Sequence, residues 1–116
     1  MKTSEAIRLL KPYTIWVLAP HLESEDPNIQ HYYDFSQSLA EYTRVFEELD
    51  ADWKWQHITL KNVKEIIAAI KKASSEKPAL VINLCDGDEI NGTPGVSVIH
   101  ELEKAGLIYT GADDFF

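Results

Sequence analysis

The stretch "ALVINLCDGDEINGTPGVSVI", residues 79–99, indicates how the whole chain is organised. Residues 79–85 form a continuous apolar run, which is typical of a strand covered on both faces. An acidic, glycine-containing segment follows, and a new apolar pattern then begins. Thr93 is the predicted N-cap of a helix, Pro94 its first residue, and Gly106 follows its end. The stretch therefore predicts a strand, a loop and a helix in direct succession.

Three further strands are predicted from the same kind of pattern. "TIWVLAP" (14–20) is a second apolar run and predicts another strand buried on both faces. "DWKWQHITL" (52–60) alternates in polarity and then changes parity, which predicts an edge strand with a bulge or twist. "LIYTG" (107–111) predicts a short fourth strand.

Three helices are predicted between the strands from apolar residues at spacings of three and four. The expected buried faces are Phe35, Leu39, Tyr42, Phe46 and Leu49 in the first helix, Val63, Ile66, Ile67 and Ile70 in the second, and Val96, Ile99 and Leu102 in the third. Thr59 or Asn62 is expected to cap the second helix. Residues 1–12 are expected to form an N-terminal extension, a short helix with Ile7, Leu9 and Leu10 against the domain.

The alternation of strands and helices predicts one α/β domain over residues 1–116, a three-layer, Rossmann-like fold with a parallel sheet and right-handed crossovers. The two apolar strands belong in the middle, which gives the strand order 2-1-3-4. In this order the second strand lies on one side of the first strand and the third strand lies on the other side. The loops that leave the first and third strands therefore diverge, and a crevice opens beyond the carboxyl ends of these two strands.

The composition limits which binding partners and which cellular compartment we expect for this protein. The chain has 116 residues, 45% of them hydrophobic, and a net charge of −8. This charge argues against nucleic acid and anionic membrane surfaces as partners. Cys85 is the single cysteine, which excludes an internal disulfide and a cysteine-based zinc site and fits the cytoplasm. No segment reaches the roughly 20 apolar residues that span a bilayer.

Two acidic segments are expected to meet in the crevice, one after the first strand and one after the third. A crevice lined with negative charge could accept an ammonium group or a divalent cation. Beside the N-terminus of the third helix it suits a zwitterion such as an amino acid, and no residue is predicted as a metal ligand. The candidate substrate-binding residues are His21, Glu23, Glu25, Asp86, Asp88, Glu89, Gly92 and Thr93. Simpler roles stay open for them: Asp86 could fix the turn, the other carboxylates could be solvated, and His21 could be an ordinary loop residue. His57 and His100 are interpreted as structural or surface residues.

Residues 83–112 resemble the second half of the N-terminal lobe, the pre-ATP-grasp domain, of D-alanine–D-alanine ligase-like ATP-grasp enzymes. The likeness is carried by Gly92-Thr93 and by Tyr109-Thr110-Gly111, and the strand order supports it. Two motifs differ: Ala19-Pro20 stands where the family has Gly-Gly after the first strand, and Asp86-Gly87 where it has His-Gly.

This resemblance implies the substrate-binding lobe of a carboxylate–amine ligase. In such enzymes ATP phosphorylates one substrate's carboxyl group, an amine attacks the acyl phosphate, and Mg²⁺ steadies the charge. ATP and Mg²⁺ are held by ATP-grasp domains expected after residue 116, so the chain alone is expected to bind neither and to be inactive. Glu25 is the nearest match to the family's glutamate that receives the substrate ammonium group, with Glu23 next. Whether the lobe forms a homodimer is open.

Other functions compete with this interpretation. A stand-alone ligand-binding or interaction module with a flavodoxin-like sheet would bind a small zwitterion without nucleotide. A phosphoacceptor receiver domain is disfavoured because Ala19, Pro20 and His21 stand where its acidic pair belongs. A small enzyme with His21 or His31 as its base lacks a recognisable nucleophile–base pair.

Overall fold

In the computed structural model, residues 8–21, 36–85 and 94–111 are described, and they form an α/β fold. The elements in chain order are β1 (Thr14–Pro20), α1 (Ser36–Glu48), β2 (Asp52–Ile58), α2 (Val63–Ala73), β3 (Ala79–Asn83), α3 (Val96–Ala105) and β4 (Ile108–Gly111).

The four strands form one sheet in the order β2-β1-β3-β4, and every pairing is parallel. Thr14 of β1 is in register with Asp52 of β2 and with Ala79 of β3, and Leu80 of β3 is in register with Ile108 of β4. The predicted strand order and parallel pairing are confirmed.

Strand β2 lies at the edge of the sheet, as predicted. Its pairing with β1 contains no bulge, so the prediction of a bulge is wrong. The register runs without interruption from Thr14–Asp52 to Pro20–Ile58. Trp53 and Trp55 pack on one face of the sheet and Ile58 on the other. The parity change therefore reflects a regular strand that buries different faces at its two ends.

Helices cover both faces of the sheet, which explains why β1 is an uninterrupted apolar run. On one face Leu18 packs in a core with residues of α2 and α3. On the other face Ile15 and Val17 pack with Phe46 of α1. Side chains alternate along a strand, so a strand between two helical layers needs apolar residues at consecutive positions.

Helix α1 buries a shorter stripe than predicted. Phe46 is buried, and Tyr42 and Leu49 are partly buried against the same core. Leu39, predicted to be buried, is 37% exposed. Phe35 lies outside the described residues. The contact with the sheet thus involves the second half of the helix, next to Trp53 and Trp55 of the edge strand.

Helix α2 begins with a reciprocal pair of hydrogen bonds between the two residues predicted as alternative caps. The backbone N–H of Asn62 donates to Oγ1 of Thr59 (3.2 Å), and the backbone N–H of Thr59 donates to Oδ1 of Asn62 (2.8 Å). Asn62 is the N-cap, but its side chain does not cap the helix; the two bonds close the turn that precedes it. Val63, Ile67 and Ile70 then form its buried face, as predicted.

Helix α3 begins later than predicted, and its buried face differs accordingly. Gly95 is the N-cap and Val96 the first helical residue, so Pro94 precedes the helix. Val96 is 46% exposed, against prediction, while Val98, Ile99 and Leu102 are buried. Each helical residue turns by about 100°, so Val96 and Val98 point to opposite sides.

The end of α3 is as predicted. Gly106 has a φ of 70° in the left-handed region. Its N–H donates to the carbonyl of Glu103 (3.0 Å), and the N–H of Leu107 donates to the carbonyl of Leu102 (3.1 Å). These two bonds make a Schellman motif.

The N-terminal extension is only partly described. Residues 8–10 are helical, and Leu10 packs against the core on the α1 face. Leu9, expected to pack against the domain, is 67% exposed. Ile7 lies outside the described residues.

Candidate functional site

The candidate site lies at the carboxyl edge of the sheet, where β1 and β3 end side by side. Leu18 of β1 is in register with Asn83 of β3, and the N–H of Leu84 donates to the carbonyl of Leu18 (2.9 Å). The acidic segment 22–35 starts directly after His21, and the acidic segment 86–93 starts directly after Cys85. Both segments therefore leave the sheet from neighbouring strand ends.

His21 is the one predicted site residue that falls within the described part of the chain, and it is exposed at this edge. The other predicted site residues lie outside the described residues; they are Glu23, Glu25, Asp86, Asp88, Glu89, Gly92 and Thr93. Their proposed roles stay predictions.

Asn83 shapes the exit of β3, a role that sequence reasoning did not assign to it. Its side chain is fully buried, and its Oδ1 accepts a hydrogen bond from the backbone N–H of Cys85 (3.0 Å). An Asn oxygen that bonds the backbone two residues ahead sets a turn. The signal in the sequence is an Asn inside an otherwise apolar strand. Asp86, which the sequence suggests for a similar role, lies outside the described residues, and its role stays a prediction.

Cys85 is a buried structural residue, as the sequence indicates. It is 0% exposed, and its Sγ–H donates to the carbonyl of Leu18 (3.7 Å). A thiol buried in an apolar core has little access to substrate or oxidant. Cys85 thus links the ends of β1 and β3 rather than supplying a nucleophile.

His57 belongs to this edge, although its sequence position does not suggest it. Its ring stacks on the ring of His21, with centroids 4.9 Å apart and planes at 17°. The register places His57 opposite Ala19, and the N–H of His21 donates to the carbonyl of Ile58 (2.8 Å). The register of β1 and β2, which no local pattern reveals, brings the two histidines together.

The position of His57 affects its protonation. Burial lowers the pKa of His57 below its usual value, and the nearby charge of His21 lowers this pKa further. Both effects disfavour the imidazolium form. His57 is therefore a neutral imidazole near pH 7, able to donate from one nitrogen and accept at the other.

The backbone of His57 is fixed by two side chains. Its carbonyl accepts hydrogen bonds from Nε2 of Gln56 (3.0 Å) and from Nδ2 of Asn62 (3.3 Å). These bonds connect the end of β2 to the cap of α2, so the imidazole projects from a well-anchored strand end.

The N-terminus of α3 lies beyond the second acidic segment. Pro94 is fully buried just before it, and the N–H of Val98 donates to the carbonyl of Gly95 (3.0 Å). Gly95, as the N-cap, has no side chain with which to cap the helix. The helix N-terminus carries partial positive charge, which favours a carboxylate or phosphate nearby.

Charge is distributed unevenly around the sheet. Residues 12–43 and 78–103, which contain both acidic segments, include no Lys or Arg. At the amino edge, by contrast, Asp52 accepts hydrogen bonds from Lys77 (3.1 Å) and from Thr14 (3.0 Å). The bond from Lys77, and next the bond from Thr14, lower the pKa of Asp52. This cluster links the starts of β1 and β2 with Lys77, which precedes β3. It has a structural role and lies at the opposite edge of the sheet from the candidate site.

The described residues contain no cluster of ligands for a metal ion such as Mg²⁺. Within 8–21, 36–85 and 94–111, no group of three or more His, Cys, Asp or Glu side chains is arranged to hold a metal ion. No helix in the same ranges is long and apolar enough to cross a membrane.

Comparison with known proteins does not assign the chain to a family. The chain matches no protein-family model, no curated protein sequence and no solved structure.

Proposed function

We propose that this chain binds a small zwitterion, such as an amino acid, at the carboxyl edge of its sheet. We further propose that it does so as the substrate-binding lobe of an ATP-dependent carboxylate–amine ligase similar to D-alanine–D-alanine ligases. The supporting observation is the direct pairing of β1 with β3, because the two acidic segments start at the ends of these strands. Ligands of open α/β sheets bind at such a reversal of strand order.

The charges of the edge suit both ends of a zwitterion. The acidic segments carry Glu25 and Asp88 and no Lys or Arg, which favours an ammonium group. The N-terminus of α3 and the neutral imidazole of His57 offer donors to a carboxylate. A ligand with one charge of each sign therefore fits better than an anion or a cation alone.

The ligase assignment rests on the resemblance of residues 83–112 and on the strand order that such pre-ATP-grasp lobes share. The same resemblance assigns phosphoryl transfer to other domains. In the proposed enzyme, ATP and Mg²⁺ are supplied by ATP-grasp domains, and this lobe orients the substrate.

Binding is tested by titrating the 116-residue chain with D-alanine and following backbone amide signals by NMR. We expect shifts at His21, Leu84 and Cys85 and none at Lys77 on the opposite edge. Propionate and isopropylamine, which each carry one of the two charges, are expected to bind at least tenfold more weakly.

Glu25→Gln tests the predicted ammonium contact. Losing a charge-assisted hydrogen bond of ~1.5–3 kcal/mol weakens D-alanine binding by more than about tenfold. Glu76→Gln, at the opposite edge, is the matched control and should bind as the parent does. Equal affinities in both variants would remove Glu25 from the site.

The ligase class is tested separately from binding. We expect an ATP-grasp coding sequence in the same reading frame or operon, and amino-acid-dependent ADP release from its complete product. Zwitterion binding without any such sequence would instead favour the stand-alone binding module.

A further inference from the structure

The stacked pair of His21 and His57 is held by a rigid backbone on both sides. The β1–β2 ladder continues to the pair through the bond from the N–H of His21 to the carbonyl of Ile58. The carbonyl of His57 is anchored in turn by Gln56 and Asn62. The Cα positions of the two histidines are therefore fixed before any ligand arrives.

The distance between the two ring centroids equals that between two imidazoles that bind the same metal ion. A metal–nitrogen bond is about 2.0–2.1 Å long, so two imidazoles on one tetrahedral or square-planar ion have ring centroids about 4.5–5.2 Å apart. The observed separation is 4.9 Å. No movement of either strand is needed to reach the bound distance.

The two rings would have to rotate for their nitrogens to face one ion. The rings lie at 17° to each other, and since ring-nitrogen lone pairs lie in the ring planes, they do not converge in this arrangement. A histidine ring centroid lies close to the line of the Cβ–Cγ bond. Rotation about that bond changes the direction in which the ring nitrogens point and leaves the centroid separation the same. This torsion is broad in histidine, and both residues are exposed.

The protonation state and the ligand type are also suitable. A metal ion binds imidazole in its neutral form. Imidazole suits Zn²⁺, Ni²⁺ and Cu²⁺ rather than Mg²⁺. Because Cys85 is fully buried, its thiol does not compete for the ion.

We propose that His21 and His57 together bind one divalent transition-metal ion, such as Zn²⁺ or Ni²⁺, at the carboxyl edge of the sheet. Water fills the remaining coordination positions, so the ion is held less tightly than in a site with three protein ligands. This proposal does not rest on the proposed ligase function, whose Mg²⁺ prefers oxygen ligands, although it uses the same two histidines that lie at the proposed zwitterion site.

The proposal is tested by calorimetric titration of the tag-free 116-residue chain with Zn²⁺ and Ni²⁺ at pH 7.5. We expect one ion per chain, and at least about a tenfold loss of affinity in His57→Ala and in His21→Ala, since even supporting residues around a metal contribute 10–100-fold. His100→Ala, which removes an exposed histidine of α3, is the matched control and should bind as the parent does.

A second readout identifies the ligands without relying on mutants. The ¹⁵N signals of the His21 and His57 rings should shift on addition of Zn²⁺, while those of His100 stay in place. Lowering the pH to 5 should release the ion as the imidazoles take up protons. The proposal is overturned if neither ion binds, or if binding survives both single substitutions with the fold intact by circular dichroism.

Discussion

His57 is the residue whose role depends most on its neighbours in space. In the sequence it is one exposed position of an edge strand, and nothing local connects it with His21. The β1–β2 register stacks its ring on that of His21 and lowers its pKa through burial and through the charge of His21. A sequence pattern reports which face a residue occupies but not which residue of another strand stands beside it.

The lowered pKa of His57 makes folding stability depend on pH. The unfolded chain binds a proton at His57 near pH 6.5, whereas the folded chain takes it up only at lower pH. The stability that neutral His57 contributes is therefore fully present above about pH 6.5 and is lost as the pH falls through the folded pKa. Urea unfolding between pH 8 and pH 5 should show a smaller decline in His57→Gln than in the parent. An identical decline in both proteins would contradict the shift.

Helix α3 shows at the scale of an element what local chemistry predicts well and what it does not. Its end at Gly106 follows from the need for a left-handed residue, which glycine meets without strain. Its beginning is predicted two residues early, because Pro94 and Thr93 resemble a helix start. In the structure Pro94 is buried before the helix, so tertiary packing overrides that local preference.

Gly106→Ala is expected to destabilise the protein by about 1 kcal/mol, which is the usual cost of a left-handed non-glycine residue. The cost is conformational rather than steric, because a Cβ at this position would have Nζ of Lys71 as its nearest atom, at 4.0 Å. Gly106→Asn should lose less, since Asn adopts this conformation more readily. Chemical denaturation of both variants distinguishes the cases: equal losses would mean that the backbone conformation is not the cause.

The whole molecule is organised around β1, which separates two apolar cores. Trp16 packs in the core under α2 and α3, whereas Trp53 and Trp55 pack in the core under α1. Because β1 contributes to both cores, we expect them to unfold together. The same arrangement places the strand ends that precede the acidic segments at one edge, and the hydrogen-bonded cluster of Asp52, Lys77 and Thr14 at the other.

Leu102→Ala is expected to destabilise the protein by about 3 kcal/mol, because Leu102 is fully buried and its removal leaves a cavity in the core under α2 and α3. Leu39→Ala, at a residue that is 37% exposed, should cost less than about 1 kcal/mol. Urea unfolding followed by circular dichroism and by tryptophan fluorescence should give one common midpoint for each variant. Separate midpoints in Leu102→Ala would show that the two cores unfold independently.

The sequence by itself determined the elements and their order in the sheet. Apolar runs at 14–20 and 79–85 identify the central strands, and strand–helix alternation requires parallel crossovers, so the order 2-1-3-4 followed. These are consequences of local periodicity and chain connectivity. The tertiary structure decided the stacking of His21 on His57, the buried turn at Asn83 and the late start of α3. Each depends on register or packing between segments far apart in the chain, where no local spacing carries the information.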